Sequence, residues 1–199
     1  MGDATISTGT DYTGFQIYSN SGTSSSNHLQ MYTSGSYGKA GNVITGDGKN
    51  IGKIIASLRR AGSGPTNMRA EVFATSGGVP TGSPVATSTQ RPGTDATTAG
   101  TTATVEFLFD GTYELQTGVD YWVGVAIVGT NSSGNSLYLS KNVGALTGYA
   151  AVGTATTPNT ALGGSDTYHL VVEEGNIEYE STSKVYLTDA SDVKKIKHI

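Results

Sequence analysis

Three histidines, His28, His169 and His198, are the side chains of this sequence that titrate nearest neutral pH, and they stand far apart. A hydrolytic nucleophile needs such a base beside it, and no G-x-S-x-G stretch presents a serine for one to activate. His169 sits in "TYHLVV", where alternation sets Leu170 and Val172 on one face and His169 with Val171 on the other. A strand-surface histidine is expected there, and a solvated one at His198. Glycoside hydrolysis asks for two carboxylates across a groove. Asp110, Glu114 and Asp120 crowd one stretch, and Glu173, Glu174, Glu178 and Glu180 another, but no pair stands out. "TGDGKN" (45–50) and "GGSDTY" (163–168) are Asp-in-Gly loops of a kind that can ligate Ca²⁺, and neither has the spacing of an EF-hand loop. An aspartate holding its own turn is the simpler account of both. Exposed aromatics that stack on sugar rings have Trp122, Tyr138 and Tyr149 as candidates, although Trp122 lies in the most apolar strand and is expected in the core. "ATSGGVPTGSPVATST" (74–89) has the glycines of a phosphate loop but no lysine, and strand patterning on both sides. It reads as a turn between strands. "NSS" at 131–133 is a glycosylation sequon in form, relevant only to a secreted eukaryotic protein. The expectation is a protein that is not an enzyme, with no catalytic, cofactor-binding or metal-ligating residues and no cofactor.

Composition narrows the class further. Of 199 residues, 36% are hydrophobic and only 14% charged, which suits a Gly/Thr/Ser-rich β globule better than a disordered chain. There is no cysteine, so disulfides, zinc-thiolate sites and thiol nucleophiles are excluded. The net charge of −4, with one dense basic run in "KKIKH", lacks the basic face of a nucleic-acid binder. No stretch approaches the roughly 20 apolar residues of a membrane helix, and "MGDATISTGT" has no signal-peptide pattern.

The elements that would position these residues are strands. In "KIIASLRRA", Ile54, Ala56 and Leu58 alternate with Ile55, Ser57 and Arg59. "MRAEVFA" opposes Met68, Ala70 and Val72 to Arg69, Glu71 and Phe73, and "TVEFLFD" turns Val105, Phe107 and Phe109 inward. "YWVGVAIV" (121–128) is apolar on both faces and predicts a central strand. "GFQIYS" (14–19), "NHLQMYT" (27–33), residues 85–89, "SLYLS" (136–140), "TYHLVVE" (167–173), "NIEYE" (176–180) and "SKVYLT" (183–188) complete the strands. "GSGPTN" (62–67) is a turn and "RPGTDATTAGTT" (91–102) a long polar loop. In "ELQTGVDYWV", Tyr121 follows Leu115 across a glycine turn, as in a tyrosine corner. The tail "TDASDVKKIKHI" offers the one candidate helix, capped by Thr188 or Asp189 with Asp192 in its first turn. The fold predicted is all-β, an antiparallel β-sandwich, jelly-roll-like with Greek-key connections. An N-terminal arm or hairpin is expected over 1–26, the sandwich over 27–173, and a C-terminal extension over 174–199.

Residues 29–172 resemble a β-sandwich module of bacteriophage virion proteins and bacterial surface proteins. The resemblance rests on "LQMYTSG", on "IGKIIASLRRAGSGPTNMRAEVFATSGGVPTGSPVATST", on "VEFLFDGTYELQTGVDYWVGVAI" with its L-x-x-G-x-x-Y loop, and on "SDTYHLVVE". It implies a structural, decorating or ligand-presenting unit and transfers no functional residue. The expected protein is therefore a structural component of a phage particle: capsid decoration, head fibre or tail fibre. It would be made in the host cytoplasm and reside in the virion. Its partners would be capsid or tail proteins and further copies of itself, a trimer being one such assembly, with no nucleic acid and no membrane. The alternative is a carbohydrate-binding module that adsorbs to a cell-surface glycan, ahead of a depolymerase fragment or a secreted adhesin. Residues 1–183 carry eight basic and fourteen acidic side chains, whereas 184–199 carry four lysines and two aspartates. This asymmetry marks the tail as the candidate anchor.

Overall fold

The computed structural model describes residues 16–19, 27–98, 100–143, 148–162, 166–175, 186–189 and 192–195. Their regular structure is strand, apart from single 3-10 turns at Gly93–Asp95 and Ser133–Asn135. The chain divides into two compact units, Gly14–Asn176 and a smaller one of Met1–Thr13 with Ile177–Ile199.

In the larger unit the long strands are β3 (Tyr37–Thr45), β4 (Lys49–Arg60), β5 (Asn67–Ser76) and β12 (Asp120–Val128). With them come β1 (Gln16–Ser19), β2 (His28–Met31), β10 (Ala103–Leu108), β13 (Leu137–Val143), β14 (Gly148–Val152), β16 (Asp166–Tyr168) and β17 (Leu170–Glu174). Two-residue strands fill in the edges: β6 (Val79–Pro80), β7 (Ala86–Thr87), β8 (Arg91–Pro92), β9 (Thr97–Thr98), β11 (Glu114–Leu115) and β15 (Thr160–Ala161). One layer runs β15–β14–β3–β12–β5, with β6, β7 and β8 also paired to β5. The other is centred on β4. That strand pairs with β9, β10, β11, β13 and β17, while β2 and β16 pair with β13 and β1 with β17. Parallel pairing is confined to the bridge Met31↔Tyr37 and the β4–β9 contact. From β2 to β17 the longer strands alternate between layers, so their ladders join strands distant in sequence. This is the wiring of a jelly-roll-like antiparallel sandwich.

The alternation read in the sequence is what fills the interior. Ile54, Ala56 and Leu58 of β4, Met68, Ala70 and Val72 of β5, and Val105 and Phe107 of β10 pack into one buried cluster. Tyr121, Val123, Val125 and Ile127 of β12 join them, and β12 is the double-sided central strand that its composition predicts. The tyrosine corner is present: the Gln116 backbone N–H donates to the Tyr121 hydroxyl at 3.2 Å. One polar side chain crosses the interior. Asn42, fully buried in β3, donates through Nδ2 to the Tyr168 carbonyl at 3.1 Å and accepts from the Tyr168 N–H at 3.1 Å. The hydroxyl of Tyr18 lies beside Asn42, and burial pushes its pKa up to about 12.

Several strands depart from the sequence reading. β3 and β14 escape it because Gly38, Gly41 and Gly148 look like turn residues. A β-carbon at Gly41 would collide with the Val123 carbonyl and the Gly124 α-carbon of β12, so close packing of backbones, and not a turn, requires this glycine. The strand expected at 85–89 shrinks to β7, and "TYHLVVE" breaks at His169 into β16 and β17. The tail is not helical where it is described. β18 (Tyr186–Asp189) and β19 (Asp192–Lys195) form an antiparallel hairpin in register Tyr186↔Lys195 to Asp189↔Asp192. Residues 1–15, 20–26, 176–180 and 183–185, over which the arm and further strand pieces are expected, lie outside the described residues.

Two substitutions and one control test this packing by urea denaturation. Asn42→Leu, which leaves both Tyr168 backbone groups without the amide, should cost about 2–3 kcal/mol. Gly41→Ala should cost more than about 2 kcal/mol, while Gly134→Ala, whose nearest neighbour is the Ser132 hydroxyl at 4.0 Å, should change stability by about 0.5 kcal/mol or less.

Candidate functional site

The outer face of the β4 layer gathers the histidines. Register sets His28 of β2 opposite Ser140 of β13, Gln30 opposite Tyr138, and Tyr138 opposite Arg59 of β4. The Arg59 guanidinium carbon lies 4.2 Å from the Tyr138 ring centre, and the His28 ring stands edge-on to the same tyrosine at 6.2 Å. His169 is buried at 3% exposure, which corrects the surface position expected for it. Its N–H bonds the Ser140 carbonyl at 2.9 Å and its carbonyl accepts from the Ser57 N–H at 3.3 Å, which seats the residue between β13 and β4. Burial lowers the His28 pKa, and the charges of Arg59 and His169 lower it further. Ser140 is fully buried and its hydroxyl makes no hydrogen bond among the described residues. A serine, two histidines and an arginine therefore share one face, but the serine is closed off from substrate. His198 lies outside the described residues.

The outer face of the other layer is sealed as well. Trp122 is buried there and not in the interior cluster. Its indole folds back over Gly124, stands edge-on to Phe73 at 5.4 Å, and donates Nε1–H to the Tyr149 carbonyl at 3.1 Å. Beside it Glu71, also fully buried, accepts from Lys39 Nζ at 2.6 Å and from Arg69 Nη2 at 2.6 Å, and Lys39 Nζ sits 5.0 Å from the Phe73 ring centre. The connection leaving β14 reaches the loop after β6, where the Thr157 hydroxyl donates to the Gly82 carbonyl at 2.6 Å. Pro80 and Pro158, one on each side of that contact, are buried. This strap runs from the β14 edge to the loop that follows β6. Alternation alone assigns Glu71 and Phe73 to a solvated face, yet both are fully buried. Tyr138 and Tyr149 remain half-buried.

The carboxylates are spent on structure. Asp110 accepts from the Thr112 N–H at 3.1 Å and its hydroxyl at 2.8 Å, bonds that hold its pKa below the ordinary carboxylate range. Asp120 accepts from the Thr45 hydroxyl at 2.7 Å, and Glu114 is exposed. Lys53 lies 2.9 Å from Glu173 and 3.4 Å from Glu106; burial pulls its pKa down, but the two carboxylates outweigh that and raise it. Glu174 pairs with Lys49 at 3.3 Å. Glu178 and Glu180 lie outside the described residues. A depression of about 290 Å³ opens between β10 and the Arg91–Asp95 ion pair, lined by Thr104, Glu106 and Leu108. A second, about 280 Å³, opens at the root of the strap between Lys39, Ile127 and Gly153. Neither brings two uncommitted acids together. Asp47 is exposed in its loop, and among the described residues no three His, Cys, Asp or Glu side chains group as metal ligands. Residues 163–165 and the Asp166 side chain lie outside the described ones. Among the described residues no helix is long and apolar enough to cross a membrane.

No family model matches this chain, and no curated protein matches it. The resemblance to a virion module therefore rests on the turn and core residues that carry it.

Glu71→Gln leaves two cations facing a neutral amide in a buried site. It should lower the free energy of unfolding by about 3 kcal/mol in urea titrations. The pair Lys39→Met with Glu71→Leu should recover most of that loss.

Proposed function

We propose that this chain is a structural protein of a phage particle that acts through protein–protein contacts, as capsid decoration, head fibre or tail-fibre component. The observation that carries the reading is the division of the chain. The two ends, Met1–Thr13 and Ile177–Ile199, belong to one small unit of their own, separate from the sandwich. A body that spends its charges on internal pairs, joined to a second unit built from both termini, suits a module that is anchored by its ends and presents its sandwich. The tail hairpin carries Lys194 and Lys195 on β19, so an acidic neighbour, on a capsid or tail protein or on a further copy of this chain, is the complementary partner.

The second reading is a carbohydrate-binding module. Tyr138 and Tyr149 support it as half-buried aromatics, while the burial of Trp122 removes one of its three candidates.

Mass spectrometry of purified particles, made from a genome carrying this gene, should find the chain in fixed stoichiometry with the major capsid or tail protein. Removal of residues 177–199 should abolish incorporation while the sandwich stays folded by circular dichroism. Absence from particles sinks the structural reading. Normal incorporation of the truncated chain sinks the anchoring role of the tail. A glycan array with specific hits that Tyr138→Ala removes would put the second reading first.

A further inference from the structure

β2 is four residues long and is held by β13 on one edge and by the single bridge Met31↔Tyr37 to β3. Its inner residues Leu29 and Met31 pack on the core. Of its outer residues, Gln30 tethers the far end, donating to the Ser133 carbonyl at 3.1 Å and to the Ser136 hydroxyl at 2.9 Å, and His28 closes the near end of the ladder opposite Ser140. His28 Nε2 is buried with no hydrogen-bond partner among the described residues, and so is Arg59 Nε. The two side chains contact the same ring, Tyr138. Arg59 is permanently charged. A proton on His28 would place a second cation against that ring, with one of its N–H groups buried and lacking an acceptor.

Among the described side chains the neighbouring elements supply no anion to compensate; Asp166, the first residue of β16, stands opposite Val143, three residues beyond Ser140. β4 presents Ser57 and Arg59 on this face, and β13 presents Tyr138 and Ser140 with Lys141 beyond them. The β16–β17 connection brings Thr167 and His169, and β3 brings Tyr37 at its bridge to Met31. Among residues whose side chains are described, the nearest acid in sequence to His169 is Glu173. It lies four residues on, roughly 13 Å at strand rise, and is engaged by Lys53 at 2.9 Å. Arg60 is turned away, donating to the Ala96 carbonyl at 2.9 Å.

We propose that His28 makes β2 an acid-releasable latch: the strand closes on β13 while His28 is neutral and detaches when it is protonated. The sign follows from linkage. The folded chain holds the His28 proton less tightly than the unfolded chain, whose histidine titrates near 6.5. The latch is therefore intact above that value and weakens as pH falls through it toward the lower folded value. Release bares the β13 edge and the apolar sides of Leu29 and Met31. The latch is independent of where the protein resides.

Hydrogen exchange read by mass spectrometry, corrected for the intrinsic pH dependence of exchange, tests this at pH 7.5 and pH 5.0. Amides of 28–31 should lose protection at pH 5.0 while those of β12 keep theirs. His28→Asn should abolish the difference between the two pH values, and His169→Gln should retain it. In the unmodified chain, an NMR titration should place the His28 pKa below 6.5, and Arg59→Met should raise it. A His28 pKa at or above 6.5, or protection of 28–31 unchanged at pH 5.0, overturns the proposal even if the variants fail to fold. So does a pH response that survives in His28→Asn.

Discussion

Asn42 faces an interior that is otherwise almost wholly apolar, and burying its amide is tolerated because both of its polar atoms are paired with the backbone of Tyr168. The side chain behaves as a short length of strand. It supplies one donor and one acceptor where β16 would otherwise face apolar side chains. The cost of leaving either bond unmade is what fixes β3 against the opposite layer. Apolar contacts alone would let two sheets slide by a residue with little penalty; a buried amide that must meet one N–H and one C=O does not. The positions of β12 and β14, which are built on β3, inherit that alignment, as does the strap that leaves β14.

The wiring adds a second constraint. Consecutive long strands alternate between layers, so the interior assembles from segments that are far apart in sequence, and loop-closure entropy falls due before many contacts form. β4 answers part of this by being paired along both edges, which gives five other strands a common template. No disulfide holds any of it, so packing and hydrogen bonding carry the whole stability of the sandwich.

How much of this is legible in sequence depends on what each strand touches. β4, β5, β10 and β12 are legible because one face meets a uniform apolar interior, and period-two alternation is the direct record of that contact. β3 is not, because Gly38 and Gly41 answer to a neighbouring backbone and carry no hydrophobic signal; β14 is not, because it opens on Gly148, which looks like a turn residue. Phe73, Glu71 and Trp122 mark a further limit. Alternation separates Phe73 and Glu71 from the interior without showing that they are buried, and β12, apolar on both faces, places Trp122 in the core although it is buried on the other side. His169 is misplaced for a related reason: its environment is set by two strands that meet it only in three dimensions. The chemistry that looked available, histidines, carboxylates and a tryptophan, is thus largely absorbed into structural contacts that sequence order does not show.

The burial of Trp122 also makes the protein self-reporting. Trp122 is the sole tryptophan of the chain, so all indole emission arises from one site, bonded to the Tyr149 carbonyl of β14 and on the far side of β12 from the main interior. Its fluorescence registers whether β14 is seated on its layer, and β2 belongs to the other layer. A red shift without loss of circular dichroism would signify a loosened β14 edge on an intact sandwich. The emission wavelength therefore reports on one face of the molecule alone.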